Sequence, residues 1–219
     1  MKPYYQQDDI TIYHGDCRDV LPQFPDKSFD LVLTDPPYGV GIEYGMFEDT
    51  LANVRDHLSF LIPECVRVAK ISTMTAGKYE TELWIWKNHP PSWRLCWHKG
   101  SPGTTSAVGF NDWELVFVWG DEIHRNAHDH FYAQPEKMGA YGHPCPKPLG
   151  YSMWIGKWFS DISILDPFGG SGTTAVAAKQ LGRKCTLIEI EEKYCEIAVK
   201  RLAQMELSFA DRGTSRKER

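Results

Sequence analysis

The sequence predicts an α/β fold, and the strongest indication lies in its C-terminal third. A strand-like run at 162–165 leads into a glycine-rich turn at 166–172, a helical stretch at 173–181 and a second strand-like run at 185–190. This order of elements is a β-loop-α-β unit, which is characteristic of α/β proteins. A compact β-rich run at 29–34, stopped by two prolines, predicts a further strand.

Length and composition are those of an ordinary globular protein. The chain has 219 residues, of which 42% are hydrophobic and 24% charged, so one domain with one sizeable core is expected. No apolar run approaches the roughly 18 to 20 residues of a membrane-spanning helix, and the N-terminus lacks a signal-peptide segment, which together predict a cytoplasmic protein. The six cysteines contain no C-x-x-C pair and predict neither a zinc site nor a disulfide scaffold. A net charge of −5 argues against a protein that coats nucleic acid by bulk charge, although a local basic face stays compatible with it.

Short strands and helices are predicted to alternate in the N-terminal part. Alternating apolar residues at 9–15 predict a strand that ends in a turn, which places Asp16 at the strand end. A short helical piece is expected at 17–24, and the apolar spacing at 50–69 predicts a longer helix.

The glycine-rich turn has the features of a nucleoside-binding loop. It reads Asp-Pro-Phe-Gly-Gly-Ser-Gly-Thr-Thr from Asp166 to Thr174, and glycines let the backbone approach a ligand that faces helix N–H groups. Glu189 ends the next strand, near the spacing at which an acidic residue binds ribose hydroxyls. Since the turn lacks a Gly-Lys-Ser/Thr ending, the expected ligand is a nucleoside without a polyphosphate. A tight turn beside a surface glutamate is the alternative.

A rigid loop follows the strand at 29–34. Its residues are Asp35, Pro36, Pro37 and Tyr38. The two prolines fix φ and leave carbonyl groups free to accept hydrogen bonds. A carboxylate, a proline carbonyl and a ring suit a planar base, because the acceptors take the hydrogens of an exocyclic amine while the ring stacks on the base. A stiff turn with a solvated aspartate is the alternative interpretation.

Together these motifs resemble those of the S-adenosylmethionine-dependent DNA amino-methyltransferases, which methylate adenine N6 or cytosine N4. The resemblance extends from Ile12 to Leu202 and includes the blocks 13–16, 143–148 and 188–190. Because the Asp-Pro-Pro-Tyr loop precedes the cofactor loop, the motif order is that of the permuted β group. The resemblance implies a largely parallel, seven-stranded, Rossmann-like methyltransferase sheet, circularly permuted and with helices on both faces.

The resemblance also implies a set of site residues. Those that would hold the target base and act in catalysis are Asp35, Pro36, Pro37 and Tyr38. Those that would bind S-adenosylmethionine are Asp16, Lys147, Asp166, Phe168, Gly170, Ser171, Gly172, Thr173 and Glu189. Within this set Glu189 would hold the ribose hydroxyls, Asp16 would meet the adenine end and Lys147 would anchor the methionine part.

The stretch 83–111 is the predicted DNA contact. It contains no Asp or Glu, and several tryptophans are interleaved with its basic residues. Those basic residues are Lys87, Arg94 and Lys99. Such residues bind phosphates, and aromatic rings stack or wedge where a base leaves the duplex. Tryptophans at alternate positions, such as Trp84 and Trp86, are equally typical of strands with one buried face, so both interpretations stay open.

A group of three histidines and one cysteine each allow more than one interpretation. The histidines His124, His128 and His130 invite a metal interpretation, but no cysteine joins them and methyl transfer needs no metal, so no metal site is expected. Cys145 lies in the block 143–148 and is interpreted as part of a cofactor-side loop, rather than as the thiolate nucleophile of a cytosine-C5 methyltransferase.

The function that the resemblance implies is site-specific transfer of a methyl group to the N6 amine of a flipped adenine. Asp35 favours adenine, since that position is often Asp in adenine-N6 enzymes and often Ser in cytosine-N4 enzymes. Cytosine N4, an RNA base or protein glutamine, and a DNA-binding module with a vestigial cofactor fold are the alternatives.

One methyltransferase domain is expected at 1–209, with a short recognition insertion at about 78–142. The last helix is expected at 191–205, and a flexible polar tail at 210–219. Double-stranded DNA is the expected partner. Homodimerisation and a companion restriction endonuclease, as in a restriction-modification pair, are left open.

Overall fold

The computed structural model describes residues 1–45, 47–77, 79–100, 105–106, 109–120 and 128–214. Its strands are β1 (Tyr5–Gln7), β2 (Ile10–His14), β3 (Phe29–Thr34), β4 (Glu43–Tyr44), β5 (Phe47–Glu48), β6 (Ala69–Thr75), β7 (Trp93–His98), β8 (Thr105–Ser106), β9 (Gly109–Phe110), β10 (Trp113–Gly120), β11 (His130–Tyr132), β12 (Ser163–Asp166) and β13 (Lys184–Glu189). Its helices are α1 (Cys17–Val20), α2 (Leu51–Val68), α3 (Tyr79–Asn88), α4 (Leu149–Phe159), α5 (Thr173–Leu181) and α6 (Glu192–Thr214), with 3₁₀ turns at Leu21–Gln23 and Ala140–Gly142.

Within the described residues, nine strands form one sheet in the order β1-β2-β13-β12-β3-β6-β10-β7-β11. The inner five, from β2 to β6 in that order, are mutually parallel, whereas β10 is antiparallel to both of its neighbours. The C-terminal strands β12 and β13 lie between β2 and β3, so the permuted, largely parallel α/β sheet is confirmed. The sheet has nine strands rather than the expected seven because the three-residue strands β1 and β11 extend its two edges.

Helices cover both faces of the sheet. All six residues of β3 are buried, as expected for a parallel strand packed on both sides. On one face Leu31 shares a core with Ile155 of α4 and Val176 of α5. On the other, Val32 shares a second core with Leu58 of α2. The alternation of side chains along β3 therefore divides the apolar interior into two layers.

The C-terminal unit matches its predicted boundaries closely. Helix α5 spans Thr173–Leu181, and Gly182 ends it in the left-handed conformation, which glycine adopts without a steric cost. Helix α6 continues to Thr214 instead of ending at residue 205, so the first part of the expected tail is helical, and residues 215–219 lie outside the described residues. Across the described ranges, no helix combines the length and the apolar character needed to cross a membrane.

Much of the stretch 78–142 belongs to the sheet. Strands β7, β10 and β11 join it directly. Trp84 and Trp86 lie on α3, and the interpretation of this pair as strand residues was wrong. Residue His124 and most of the expected loop at 100–109 fall outside the described residues. The recognition role of the region stays a prediction.

Candidate active site

Most of the predicted catalytic and cofactor-binding residues gather where the parallel strands end. Strand β3 ends immediately before Asp35, while β12 ends at Asp166 and β13 at Glu189. In open α/β sheets, ligands bind outside the carboxyl ends of the strands. A pocket lies at this edge, with an empty volume of about 1210 Å³ including its open mouth, and residues of both predicted loops line it. The pocket has room for a nucleoside-sized ligand.

The glycine-rich turn is held in place by close backbone packing. Gly172 has φ +80°, and a Cβ atom there would lie 2.6 Å from the Cβ of Ala198 on α6. The backbone N–H of Gly170 donates to Oε2 of Glu189 over 2.7 Å, and the N–H of Glu191 donates to Oε1 over 2.8 Å. Glu189 is only 8% exposed, and this burial raises the pKa of its carboxyl although the backbone hydrogen bonds oppose the shift.

Asp166 faces the inside of this turn. It accepts hydrogen bonds from the hydroxyl groups of Thr174 over 2.6 Å and Thr34 over 3.2 Å, and from the backbone N–H of Phe168 over 3.0 Å. Burial raises the pKa of its carboxyl to about 7, against the effect of these hydrogen bonds. These contacts support a role for Asp166 in shaping the turn, in addition to its predicted contact with the cofactor.

Two other predicted cofactor residues are bound by a side chain that the sequence reasoning missed. Arg201 of α6 donates from Nη1 to the backbone oxygen of Ser171 over 2.7 Å, and to the hydroxyls of Ser171 and Thr173 over 3.0 Å each. Arg201 lies on the helix that follows β13 in the chain, and it fixes the start of α5 through these contacts. No local pattern in the sequence indicates this contact.

Apolar rings and a second carboxylate form the other wall of the pocket. Asp16 caps α1 by accepting from the N–H of Arg18 over 2.8 Å, and it pairs with the Arg18 guanidinium at 2.6 Å. This side-chain pairing lowers the pKa of the Asp16 carboxyl. Phe168 packs against His57 of α2 with ring centroids 5.3 Å apart. His57 and Phe47 also line the pocket, and neither lies in one of the sequence motifs.

The donor set of the pocket fits a nucleoside with a positive charge. Glu189 and Asp16 supply carboxylates for hydroxyl and amine groups, and Phe168 supplies a ring that can pack against a base. Among the described lining residues the lysines and arginines are Arg18, paired with Asp16, and Lys147, which lies 2.9 Å from Asp35. Since both basic side chains already have carboxylate partners, a polyphosphate would find little electrostatic support here.

In the Asp-Pro-Pro-Tyr loop, one oxygen of Asp35 is saturated and the other is available. Oδ1 accepts from the Tyr38 hydroxyl over 2.5 Å, from Lys147 Nζ over 2.9 Å and from the Thr75 hydroxyl. Oδ2 accepts a hydrogen bond from no residue in the described part of the chain. Since Asp35 lines the pocket, a ligand amine could bind at Oδ2 without displacing the three existing donors.

Tyr38 is fixed from two sides. A Cβ atom at Gly77 would lie 2.0 Å from the Tyr38 ring, so only glycine allows this approach, and Gly77 has φ +59°. The Tyr38 hydroxyl also lies 3.2 Å from Oε2 of Glu114. Burial, followed by the charges of Asp35 and Glu114, raises the pKa of Tyr38 well above its ordinary value. The phenol therefore stays protonated and can donate.

Two of the predicted basic residues contact the same carboxylate, that of Glu114. Lys147, expected at the methionine part of the cofactor, lies between Asp35 at 2.9 Å and Glu114 at 3.6 Å. Lys99, expected on DNA, is only 7% exposed and pairs with Glu114 at 3.2 Å. Lys87 and Arg94 are exposed. The structure therefore does not bring the three predicted DNA contacts together on one surface.

Glu114 is the main site residue that sequence reasoning missed. It lies on β10, whose other residues include a run of buried apolar side chains. The available signal in the sequence was an acidic residue near the start of an apolar strand, because a buried charge requires a partner of opposite charge.

Comparisons with known proteins agree with this geometry. A family model for DNA methylases of the N6/N4 type matches residues 68–200. Type II methyltransferase M.ScaI of Streptomyces caespitosus is 26% identical over 260 aligned residues, covering 92% of this chain and 84% of that protein. The PvuII DNA methyltransferase, described as cytosine-N4-specific, is similar with a TM-score of 0.70 at 16% identity, covering 90% of this chain and 88% of that one. The M1.HpyAVI–SAM complex is similar with a TM-score of 0.64 at 21% identity, covering 88% and 98%.

Proposed function

Because the chain belongs to the DNA methylase family, whose members of the N6-adenine/N4-cytosine type use S-adenosylmethionine, we propose that it methylates the N6 amine of adenine in double-stranded DNA. The observation that supports the proposal is the hydrogen bonding of the two carboxylate oxygens of Asp35. Its Oδ1 is held by Tyr38, Lys147 and Thr75, and its Oδ2 is left to accept from an amine at the edge of the cofactor pocket.

The reaction needs an amine whose lone pair is directed at the methyl donor. S-adenosylmethionine, when bound, supplies an electrophilic methyl group. An exocyclic amine is a poor nucleophile, since its lone pair is delocalised into the ring. Asp35 and the carbonyl of Pro36 would accept its two N–H groups, so that the nitrogen becomes more pyramidal and its lone pair turns away from the ring.

Methyl transfer to the amine requires no covalent intermediate on the enzyme. S-adenosylmethionine would supply the methyl carbon for the new bond to the amine nitrogen, with its sulfonium sulfur as the leaving group. The nitrogen then carries a positive charge and loses a proton, for which the carboxylate of Asp35 is the adjacent acceptor. Tyr38 would stack on a base that has left the duplex, because a stacked and paired amine cannot reach the site.

Adenine is proposed on the identity of the first residue in the Asp-Pro-Pro-Tyr loop. The residue is Asp35, as is often found in adenine-N6 enzymes. Cytosine N4 is the second candidate, and the structural similarity to the cytosine-N4-specific PvuII enzyme favours it. A carboxylate accepts equally well from either amine, so the choice depends on the shape of the base pocket.

The DNA is proposed to lie along the exposed part of β7, β10 and β11. His98 is the register partner of Trp113 on one side and of Tyr132 on the other, and the His98 and Tyr132 rings are 5.7 Å apart. Trp113 and Tyr132 are both exposed. The exposed rings would stack on bases, and Arg94, an exposed residue of the same strand β7, would contact a phosphate. Lys99 is left out of this surface, because it is buried against Glu114.

The proposal is tested by offering the protein several acceptors with methyl-labelled S-adenosylmethionine. Duplex DNA should be labelled, and RNA and protein should not. Asp35→Ala should reduce the rate on duplex DNA by about 100-fold or more, while its affinity for the cofactor stays within about threefold of the wild type. Asp26→Ala, which changes an exposed aspartate paired with Arg67, serves as the matched control and should keep full activity. Labelling of RNA or protein in preference to DNA, or an active Asp35→Ala variant, would overturn the proposal.

A further inference from the structure

Asp35 belongs to a largely buried cluster of two carboxylates, two lysines and one phenol. Oε1 of Glu114 lies 3.2 Å from Lys99 Nζ, and its Oε2 lies 3.6 Å from Lys147 Nζ and 3.2 Å from the Tyr38 hydroxyl. Lys147 and Tyr38 are the same two groups that contact Oδ1 of Asp35. Glu114 on β10 is therefore linked to the catalytic loop through two shared side chains.

The cluster is balanced in charge. Two carboxylates face two ammonium groups, and the phenol of Tyr38 is neutral. The side chains of Lys99, Glu114 and Lys147 are all less than 15% exposed. Removing one member of a buried ionic set leaves an uncompensated charge, which costs far more than the loss of a surface ion pair.

Glu114 differs from a simple counter-ion because the two groups that it contacts, Lys147 and Tyr38, also contact Asp35. Lys147 Nζ also lies 2.7 Å from the Tyr38 hydroxyl, so both groups are held on the Oδ1 side of Asp35. If Glu114 lost its charge, Asp35 would be the remaining carboxylate partner of Lys147 in the described structure. The ammonium group would then be drawn toward Asp35 and would take up Oδ2, so that a bound target amine would lose the acceptor that orients its lone pair.

We propose that Glu114 is a positioning residue for methyl transfer, which keeps Lys147 and Tyr38 on Oδ1 of Asp35 and leaves Oδ2 to the target amine. Lys99 is its charge-balancing partner in this role. The inference rests on the proposed function, since it assigns to Asp35 the binding of the amine. It concerns a residue outside the loop motifs and requires no contact between Glu114 and the substrate.

The test uses charge removal and charge restoration. Glu114→Gln keeps the shape and one acceptor oxygen but removes the charge, and should lower kcat about tenfold or more while KM for the acceptor changes by less than about threefold. Adding Lys99→Met to that variant removes the excess positive charge and should restore kcat to within about threefold of the wild type. Glu64→Gln is the matched control, because Glu64 forms a partly buried ion pair with Arg67 at 2.7 Å on α2. It should have wild-type kinetics.

The kinetic ratios are measured on whichever acceptor the wild type labels. A wild type that labels RNA or protein instead of duplex DNA contradicts the proposed function, whereas the ratios among the variants still decide the role of Glu114. A wild-type kcat for Glu114→Gln would overturn the inference. So would a double variant as slow as Glu114→Gln, since packing and not charge would then explain the loss. Thermal melting of each variant, compared with its cofactor affinity, shows whether the slow variants are folded.

Discussion

The hydroxyl of Thr34 donates a hydrogen bond to Oδ1 of Asp166 over 3.2 Å and joins the two loops of the site. Thr34 is the last residue of β3, directly before Asp35, and Asp166 opens the glycine-rich turn. Strands β3 and β12 are neighbours in the sheet although most of the chain separates them. The permuted topology thus places the Asp-Pro-Pro-Tyr loop and the glycine-rich turn on adjacent strand ends, where one hydrogen bond fixes one loop against the other.

Thr34→Val should lower the free energy of unfolding by about 1 to 2 kcal/mol, because the buried carboxyl of Asp166 loses a donor while the volume of the side chain is kept. Thr34→Ser retains the hydroxyl and is the matched control, with a smaller loss expected. Urea unfolding of the three proteins measures the difference. Equal stability of the valine variant and the wild type would show that the contact does not stabilise the loops.

Phe168→Ala should weaken S-adenosylmethionine binding about tenfold and leave the fold intact, because the ring lines the pocket next to His57. Glu189→Ala should weaken it at least as much. In that variant two backbone N–H groups, those of Gly170 and Glu191, also lose their acceptor, so the turn loosens as well. Calorimetric titration gives the affinities and circular dichroism checks the fold. Wild-type affinity in both variants would contradict the assignment of the pocket.

Charge reversal at Lys87 and at Arg94 should each weaken DNA binding and reduce the salt slope of the affinity by about one counterion, since each exposed side chain is proposed to contact one phosphate. Lys99→Gln should leave the slope unchanged, because the side chain is buried against Glu114. DNA affinities measured from low to moderate salt give the slopes. A Lys99 variant with the same slope change as the Arg94 variant would contradict the buried position.

His143 should make the protein less stable in acid. Burial lowers the pKa of its imidazole to about 4, so between about pH 6.5 and pH 4 the unfolded chain binds a proton that the folded protein does not. Stability is therefore lost as the pH falls through this window, by at most about 3 kcal/mol. His143→Gln should remove that part of the pH dependence, and His130→Gln, at an exposed position, should not. Denaturation curves from pH 7 to pH 4.5 that are parallel for the wild type and His143→Gln would contradict the buried neutral imidazole.

Local patterns in the sequence predicted the elements around the site. The glycine-rich turn and α5 are specified by residues close in sequence, and so their boundaries were correct. The three-residue edge strands β1 and β11 are too short to produce a periodic pattern. Trp84 and Trp86 are two positions apart, as residues on one face of a strand are, yet they lie on α3. A spacing of two over so few residues does not exclude a helix.

The polar network of the site depends on contacts between distant segments. Lys99 was assigned to DNA because its neighbours in sequence are basic and aromatic, whereas the folded chain pairs it with Glu114 on the next strand of the sheet. Arg201 reaches Ser171 from the following helix. Such partners follow from strand order and helix packing, which a single sequence does not specify.

The chemical identity of the methylated base decides whether the protein acts on adenine N6 through Asp35. Duplex DNA is incubated with the protein and S-adenosylmethionine, digested to nucleosides and analysed by mass spectrometry. We expect N6-methyladenine from the wild type, and none from Asp35→Ala, because Oδ2 of Asp35 is the proposed acceptor for the adenine amine. N4-methylcytosine without N6-methyladenine, or N6-methyladenine formed by Asp35→Ala at the wild-type rate, would contradict the account.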